Sequence, residues 1–285
     1  MSLPRSAYRP YLRMLHRPIL ALLQGIGMGR LARQWIRLSN CDYAWPLQGL
    51  LEGHVMQLAS RDDDRYLAGE YEPRVCAAIL QLVKPGYFCA DIGAHIGYMT
   101  LLMAQLVGEQ GRVYSFEALP ENASALERNV AINGCQKRVD VENRAVADRS
   151  QTACIVHRGR TSFESSLMGG DSGDSFTVPA TALDDYFAYR SQLDFIKMDI
   201  EGAEARAMVG MKKVLTRTRP VILLKVHDAG WAALDELLAA DYALHDLELK
   251  PVTTDQMRSH RINHCVAVPS ERPLKNQTRN IGTPR

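Results

Sequence analysis

Ionisable residues recur at every second position in the run from Leu193 to Glu204, where Lys197, Asp199 and Glu201 alternate with Ile196, Met198 and Ile200. On an extended chain that spacing puts the charged groups on one side and the apolar ones on the other. A strand inside a parallel sheet is ordinarily apolar on both faces, and ionised groups near its end are costly unless paired or put to use. One expectation is a Lys197–Asp199 ion pair that only holds structure. The other is a reacting centre beyond the carboxyl end of the strand, where ligands of open α/β sheets sit and where Asp199 and Glu201 emerge. His227 follows the apolar run Val221 to Val226, and an imidazole titrating near neutrality suits a general base, with Glu201 and His95 as alternatives. The remaining histidines, His16, His54, His157, His245, His260 and His264, read as structural. Asp199, Glu201 and Asp228 could chelate Mg²⁺ against a vicinal diol, but nothing in their spacing demands it and no metal is expected.

The second chemical stretch is Tyr87 to Thr100, an apolar strand followed by Asp91-Ile92-Gly93-Ala94-His95-Ile96-Gly97 and the start of a helix. Glycines there permit a tight turn and close approach of a ligand to a helix N-terminus. A second strand, Arg112 to Phe116, ends in Glu117 roughly twenty residues beyond Gly93, where an acid can accept both hydrogen bonds from a ribose diol. The spacing is not the G-x-G-x-x-G of dinucleotide folds. An acid at the strand end would repel pyrophosphate, and suits a ligand with a cationic end, such as the sulfonium and amino group of S-adenosylmethionine. A plain βα turn that binds nothing is the alternative.

These stretches need elements to position them, and 285 residues suffice for one α/β domain with an appendage. A net charge of +2 argues against nucleic acid as a partner. The six cysteines are scattered without a C-x-x-C pair, which reads as reduced thiols of a cytoplasmic protein. No apolar run reaches the roughly 18 residues of a membrane span, and arginines on both sides of Pro18 to Leu23 do not suit a signal peptide. Residues 1–38 carry Arg5, Arg9, Arg13, Arg17, Arg30, Arg33 and Arg37 and no acid, so a basic amphipathic helix is expected. It would lie on an anionic membrane surface through residues 5–37, pack on the domain, or serve a homo-oligomer interface.

The expected order begins with a hairpin within Leu50 to Leu58 and a solvated cluster from Arg61 to Arg65, within an N-terminal segment 1–68. The main domain, 69–269, opens with a helix after Gly69-Glu70-Tyr71-Glu72-Pro73 that stops at Pro85-Gly86. The Asp91 strand, a helix from about Gly97 to Val107, the Glu117 strand, a helix Pro120 to Ile132 and a strand Arg138 to Glu142 follow. Asn143 to Asp148 is a turn where an adenine would lie. Strands at Cys154 to His157 and Phe176 to Val178 flank a Ser/Gly-rich loop, Ser162 to Ser175, which is either a substrate lid or a surface loop without a role. After the strand through Lys197 and the strand Val221 to His227 come a helix Trp231 to Ala240 and strands Tyr242 to Leu249 and Ile262 to Val268. Residues 270–285 form a tail expected to be disordered.

With these pieces in place the chain resembles the FkbM-type S-adenosylmethionine-dependent methyltransferases. The matching residues are Gly69-Glu70-Tyr71-Glu72-Pro73, Asp91 to Gly97, Phe116-Glu117, Asn129 to Asn133, Leu183-Asp184-Asp185 and Phe195 to Glu204. The resemblance implies an α/β class I methyltransferase fold, Rossmann-like, with a mostly parallel sheet, helices on both faces and a closing antiparallel hairpin. It implies S-adenosylmethionine as cofactor and a hydroxyl acceptor on a glycan or natural-product metabolite. By carry-over Asp91, Gly93 and Gly97 line the methionine side, Glu117 holds the ribose, and Asp199 and Glu201 face the reacting centre. Glu72, His95, Thr100, Arg144, Ala145 and Asp199 complete the cofactor-binding set. The chain departs from the family pattern at His95, commonly Asn, at Ala118, commonly Pro, and at Lys225, commonly Glu. Lys225 reverses a charge near the site and keeps open a cofactor-binding protein without turnover or dependent on a partner. A nicotinamide-dependent oxidoreductase is disfavoured by the loop spacing.

Overall fold

The computed structural model describes residues 44–58, 66–157 and 175–272. The basic segment, the charge cluster, most of the Ser/Gly-rich loop and the tail beyond 272 lie outside the described residues. Strands β1 (Ala44–Pro46) and β2 (Val55–Gln57) form a small antiparallel pair. Then come α1 (Pro73–Leu82), β3 (Phe88–Ile92), α2 (Tyr98–Val107), β4 (Arg112–Phe116), α3 (Pro120–Ile132), β5 (Val139–Glu142) and β6 (Ala145–Val146). Next are β7 (Gln151–His157), β8 (Ser175–Thr181), α4 (Leu183–Tyr186), β9 (Phe195–Met198), α5 (Glu204–Val209), α6 (Lys212–Arg217) and β10 (Val221–Lys225). The described chain closes with α7 (Ala232–Ala239), β11 (Tyr242–His245), α8 (Thr254–Ser259) and β12 (His264–Pro269).

The main sheet has seven strands in the order β11-β12-β10-β9-β3-β4-β5. Its strands run parallel except β12, which is antiparallel to β10 and to β11, so the expected closing hairpin is present. Alternation along the strands builds a core on each face. Cys89, Val113, Phe195 and Leu223 pack with α1, α2 and α3 on one face; Ala90, Tyr114, Ile196 and Ile222 pack with α4 to α8 on the other. Helix α2 is apolar almost all round and correspondingly buried from Tyr98 to Ala104. Among the described residues no helix is long and apolar enough to cross a membrane. Cys76, Cys89, Cys135 and Cys265 are buried free thiols.

Two expectations are revised, and two features are new. The hairpin is not folded within Leu50 to Leu58, because Gly49–Leu51 is a 3-10 turn and β2 takes its partner from Ala44–Pro46. Strand β9 stops at Met198, so Glu201 lies in the following turn at φ 50°, off the alternating strand face. β6, β8 and β7 form a separate three-stranded sheet. Helix α8 was not anticipated, although Thr253 and Gln256 form a capping box in which Thr253 Oγ1 accepts from Gln256 N at 3.2 Å.

The β1–β2 pair is fastened to the domain by two asparagines one helical turn apart on α3. Asn129 accepts from Gln57 N at 2.6 Å and donates to Gln57 O at 3.0 Å and Ile96 O at 2.8 Å. Asn133 accepts from Val55 N at 2.9 Å and donates to Val55 O at 2.7 Å. An amide side chain carries the same donor and acceptor as a peptide unit, so the pair acts as a surrogate strand along β2. Replacing Asn129 by Ala leaves these backbone groups without partners, and is expected to cost about 2–4 kcal/mol in urea unfolding and to speed proteolysis within 44–58. A loss below about 0.5 kcal/mol, the scale of an ordinary surface change, would contradict the surrogate-strand role.

Candidate active site at the carboxyl ends of β3, β9 and β10

The chain leaves β3 outward through β4 and β5, then returns to β9 on the other side, which makes β3–β9 the switch point of the sheet. A crevice beyond the carboxyl ends of these strands is where such sheets bind ligands. Asp91 on β3 lies between its register partners Lys197 on β9 and Ser115 on β4. It has no exposed surface. Thr100 Oγ1 donates to Asp91 Oδ2 at 2.7 Å and lies 3.0 Å from Ser115 Oγ, while Lys197 Nζ sits 3.4 Å from Asp91 Oδ1. Lys197 Nζ also donates to Gly93 O at 2.9 Å, pinning the turn that follows β3. Burial works against the Lys197 charge, but Asp91 and Asp199 outweigh it and hold the ammonium above its usual range. Burial likewise pushes the Asp91 carboxyl up, against Lys197 and Thr100.

This corrects several expectations. Asp91 and Thr100 are fully buried, and Thr100 Oγ1 donates to Asp91 Oδ2, so together they brace the turn that follows β3. Gly93 and Gly97 are required by the protein itself. A Cβ on Gly93, at φ 77°, would lie 1.9 Å from the carbonyl of Asp199, and one on Gly97, at φ 98°, would lie 2.4 Å from Leu126 Cδ1. The expected Lys197–Asp199 ion pair is replaced by Lys197–Asp91 and by Lys225 Nζ to Asp199 Oδ2 at 3.1 Å, with Lys197 acting on Asp199 through its charge. Ala145 is buried in β6 beside Ala180.

At the end of β4, Glu117 Oε2 accepts from His95 N at 2.8 Å and Oε1 from Leu119 N at 2.9 Å. Burial raises its carboxyl to about 7, with the Leu119 and His95 N–H groups opposing. His95 takes the left-handed conformation at φ 51°, which Asn and His both tolerate, so this departure from the family pattern is conservative for the backbone. Its Nδ1 is 2.9 Å from Tyr66 Oη, and Tyr66 stacks on Tyr98 with ring centroids 5.3 Å apart. Arg144 Nε lies 3.0 Å from Glu142 Oε2 beside this end of the sheet. Asn143, not anticipated, donates to the carbonyls of Glu117 and Ala118 and ties the β4 end to β5. Glu72, at φ 41°, begins α1, and its charge helps hold Lys197 and Lys225 protonated.

Beyond β9 and β10 the structure brings together Asp199, Glu201 and His227, as expected. His227 Nε2 is 3.1 Å from Glu201 Oε2 and 3.7 Å from Asp199 Oδ1. Its Nδ1 is 2.7 Å from Glu204 Oε1, a carboxylate with no exposure. Burial alone would favour neutral imidazole, but hydrogen bonds to Glu201 and Glu204 push His227 up to about 10. Both ring nitrogens of His227 are engaged by carboxylates, and Asp199 and Glu201 are the two that line its Nε2 side. Burial disfavours the Asp199 charge, yet Lys197, Lys225 and His227 hold its carboxyl below the usual range. His264, opposite Lys225 across the β10–β12 pair, is lowered by burial to about 4 and stays neutral. Glu204 was missed as a site residue; the signal was an acid in the first turn of a helix whose next inward positions, Ala207 and Met208, are apolar.

Lys197→Met strands Asp91 as a buried carboxylate, and a loss of about 3–5 kcal/mol is expected in urea unfolding at pH 8. The deficit shrinks at pH 5. A carboxyl raised in the folded state binds its proton at higher pH than in the unfolded chain, so the variant regains stability as pH falls toward the unfolded value near ~3.9. Equal deficits at both pH values would contradict the pairing.

Comparison with known proteins bears on this geometry. Residues 71 in number align with a protein-L-isoaspartate O-methyltransferase of Aeropyrum pernix at 39% identity, covering 24% of this chain and 27% of that protein. A stretch of 161 residues is 24% identical to the catechol O-methyltransferase of Bos taurus, covering 44% of this chain and 59% of that protein. The chain thus spans well under two thirds of these curated relatives. Among solved structures, a methyltransferase FkbM from Methylobacillus flagellatus superposes with a TM-score of 0.42 at 18% identity, over 72% of this chain and 52% of that one. The family profile described as the methyltransferase FkbM domain matches residues 91–247, from Asp91 through the Asp199, Glu201 and His227 cluster. With more than half of its length inside that match, the chain belongs to the FkbM family of S-adenosylmethionine-dependent methyltransferases.

Proposed function

We propose that the chain transfers the methyl group of S-adenosylmethionine to a hydroxyl oxygen of a glycan or natural-product metabolite. The observation that carries this reading is the group of Asp199, Glu201 and His227 beyond β9 and β10, proton-handling side chains beside the switch-point crevice. The two curated relatives above are named as O-methyltransferases, which supports an oxygen acceptor.

The residues present suit the cofactor. Glu117 accepts the backbone N–H groups of His95 and Leu119 and the side chain of Asn122, which leaves one of its four acceptor positions for a ribose hydroxyl. Asp199 and Glu201, reinforced by the charge of Glu72, suit a cationic sulfonium and amino group. When bound, S-adenosylmethionine supplies an electrophilic methyl carbon. The chain's residues then have two tasks. Alignment is the first: the turn after β3 is fixed by Lys197 on the Gly93 carbonyl, so the bound geometry rests on buried groups. The hydroxyl proton is the second, and it goes to a carboxylate oxygen of Glu201 or Asp199, with Glu201 the more open at 26% side-chain exposure against 14%. His227 contributes an N–H donor beside the acceptor oxygen.

A second reading, binding of the cofactor without turnover, is favoured by one observation: Lys225 already engages Asp199 at 3.1 Å. Calorimetry with S-adenosylhomocysteine and NADH, followed by an acceptor screen with labelled methyl donor, separates the possibilities. The expected result is binding of S-adenosylhomocysteine alone, with Asp199→Asn weakening that binding and losing transfer by about 10²-fold or more even at saturating cofactor. Binding with no product from any polyol, phenol or glycan would favour the second reading, and no binding would overturn both.

The raised Glu117 carboxyl makes cofactor affinity pH-dependent. Ribose hydroxyls bond the ionised form, so a proton competes with the ligand. S-adenosylhomocysteine affinity is expected to be flat above about pH 7 and to fall by up to about tenfold per unit below it. Titrations between about pH 5.5 and 8.5 check this; a slope that survives in Glu117→Gln would assign it to another group.

A further inference from the structure

We infer that Asp199, Glu201 and His227 form a binding site for a divalent cation of the Mn²⁺ or Mg²⁺ kind. Sequence spacing gives no reason to expect a metal here; three-dimensional placement does. One ligand atom from each of the three residues lies within 4.8 Å of the others. The Nε2–Glu201 and Nε2–Asp199 separations, 3.1 and 3.7 Å, match the edges of a coordination shell whose metal–ligand bonds are about 2.1 Å. Asp199 Oδ1, the oxygen turned toward His227, is buried without a hydrogen-bond partner.

The independent support is the group behind the histidine. Metal-bound imidazoles characteristically donate their other ring N–H to a carboxylate, which fixes the tautomer and aims the free nitrogen. Glu204, with no exposure, takes that place at 2.7 Å from Nδ1, so Nε2 is the nitrogen presented to Asp199 and Glu201, and a bound cation takes the place of the Nε2 proton, which is released to solvent. Two carboxylates and one imidazole favour oxygen-seeking ions, with the nitrogen tilting the choice toward Mn²⁺. Lys225 engages Asp199 through the other oxygen, Oδ2, and leaves Oδ1 free. The side chain of Asp228 lies outside the described residues. Three protein ligands leave positions open for water or for an acceptor carrying two adjacent oxygens; that role rests on the methyl-transfer reading, whereas the site itself does not.

Titrating the full chain with MnCl₂, with free Mn²⁺ followed by electron paramagnetic resonance, tests the site. One ion per chain is expected, lost in His227→Ala and Glu201→Gln, weakened about 10–100-fold in Glu204→Gln, and unchanged in the surface variant Glu248→Gln. Cooperative urea unfolding of each variant reports that it is folded. Absence of stoichiometric Mn²⁺ binding, or binding that His227→Ala and Glu201→Gln leave intact, overturns the inference. Should S-adenosylhomocysteine bind while Mn²⁺ does not, the metal site falls and methyl transfer stands; Mn²⁺ binding without S-adenosylhomocysteine is the reverse.

Discussion

One buried ammonium organises the centre of this protein. Lys197 reaches a carboxylate on the neighbouring strand and the carbonyl of Gly93, and its charge also acts on Asp199. Burying a lysine is costly unless every donor has a partner. Here the partners are distributed over β3, the turn that follows it and the end of β9, so the cost is met only when those three pieces are in register. The same contact that satisfies the lysine therefore fixes the floor of the ligand crevice. Glu117 completes the arrangement from β4 by taking the backbone N–H of His95, inside the turn that Lys197 secures.

The charge pattern around this floor is nearly self-cancelling. Asp91 faces Lys197, Asp199 faces Lys225, and Glu201 and Glu204 face His227. A crevice so paired can hold ionised groups away from bulk water without driving them neutral. Lys225 fits that ledger. Where the family commonly has an acid, this chain has a cation, and the structure uses it on the far oxygen of Asp199, not as a replacement for His227.

Much of this was legible in the sequence, for identifiable reasons. Proline at the first turn of α1 and α3, and Gly93 and Gly97 around a buried strand, punctuate the chain unambiguously. The alternation through Lys197, Asp199 and Glu201 signalled a site even though β9 ends before Glu201. What stayed hidden depends on neighbours in space. Lys197 has two acids within reach, and only the strand register selects Asp91. The partner of His227 on its Nδ1 side, Glu204, lies 23 residues away in the chain and shows only in three dimensions, where it moves the titration of the ring. Strand β1 is three residues long and carries too little pattern to reveal its pairing with β2.

The asparagine pair on α3 has a consequence for how this fold can diversify. Asn129 and Asn133 read only the main chain of Val55 and Gln57, so the attachment places no demand on what side chains those residues carry. The cap can exchange its outward chemistry without renegotiating its anchorage. A carboxylate or an aliphatic group at either α3 position would lack the donor–acceptor pair. The cap is thus held by a grip on its main chain, much as an interchangeable tool sits in a fixed chuck.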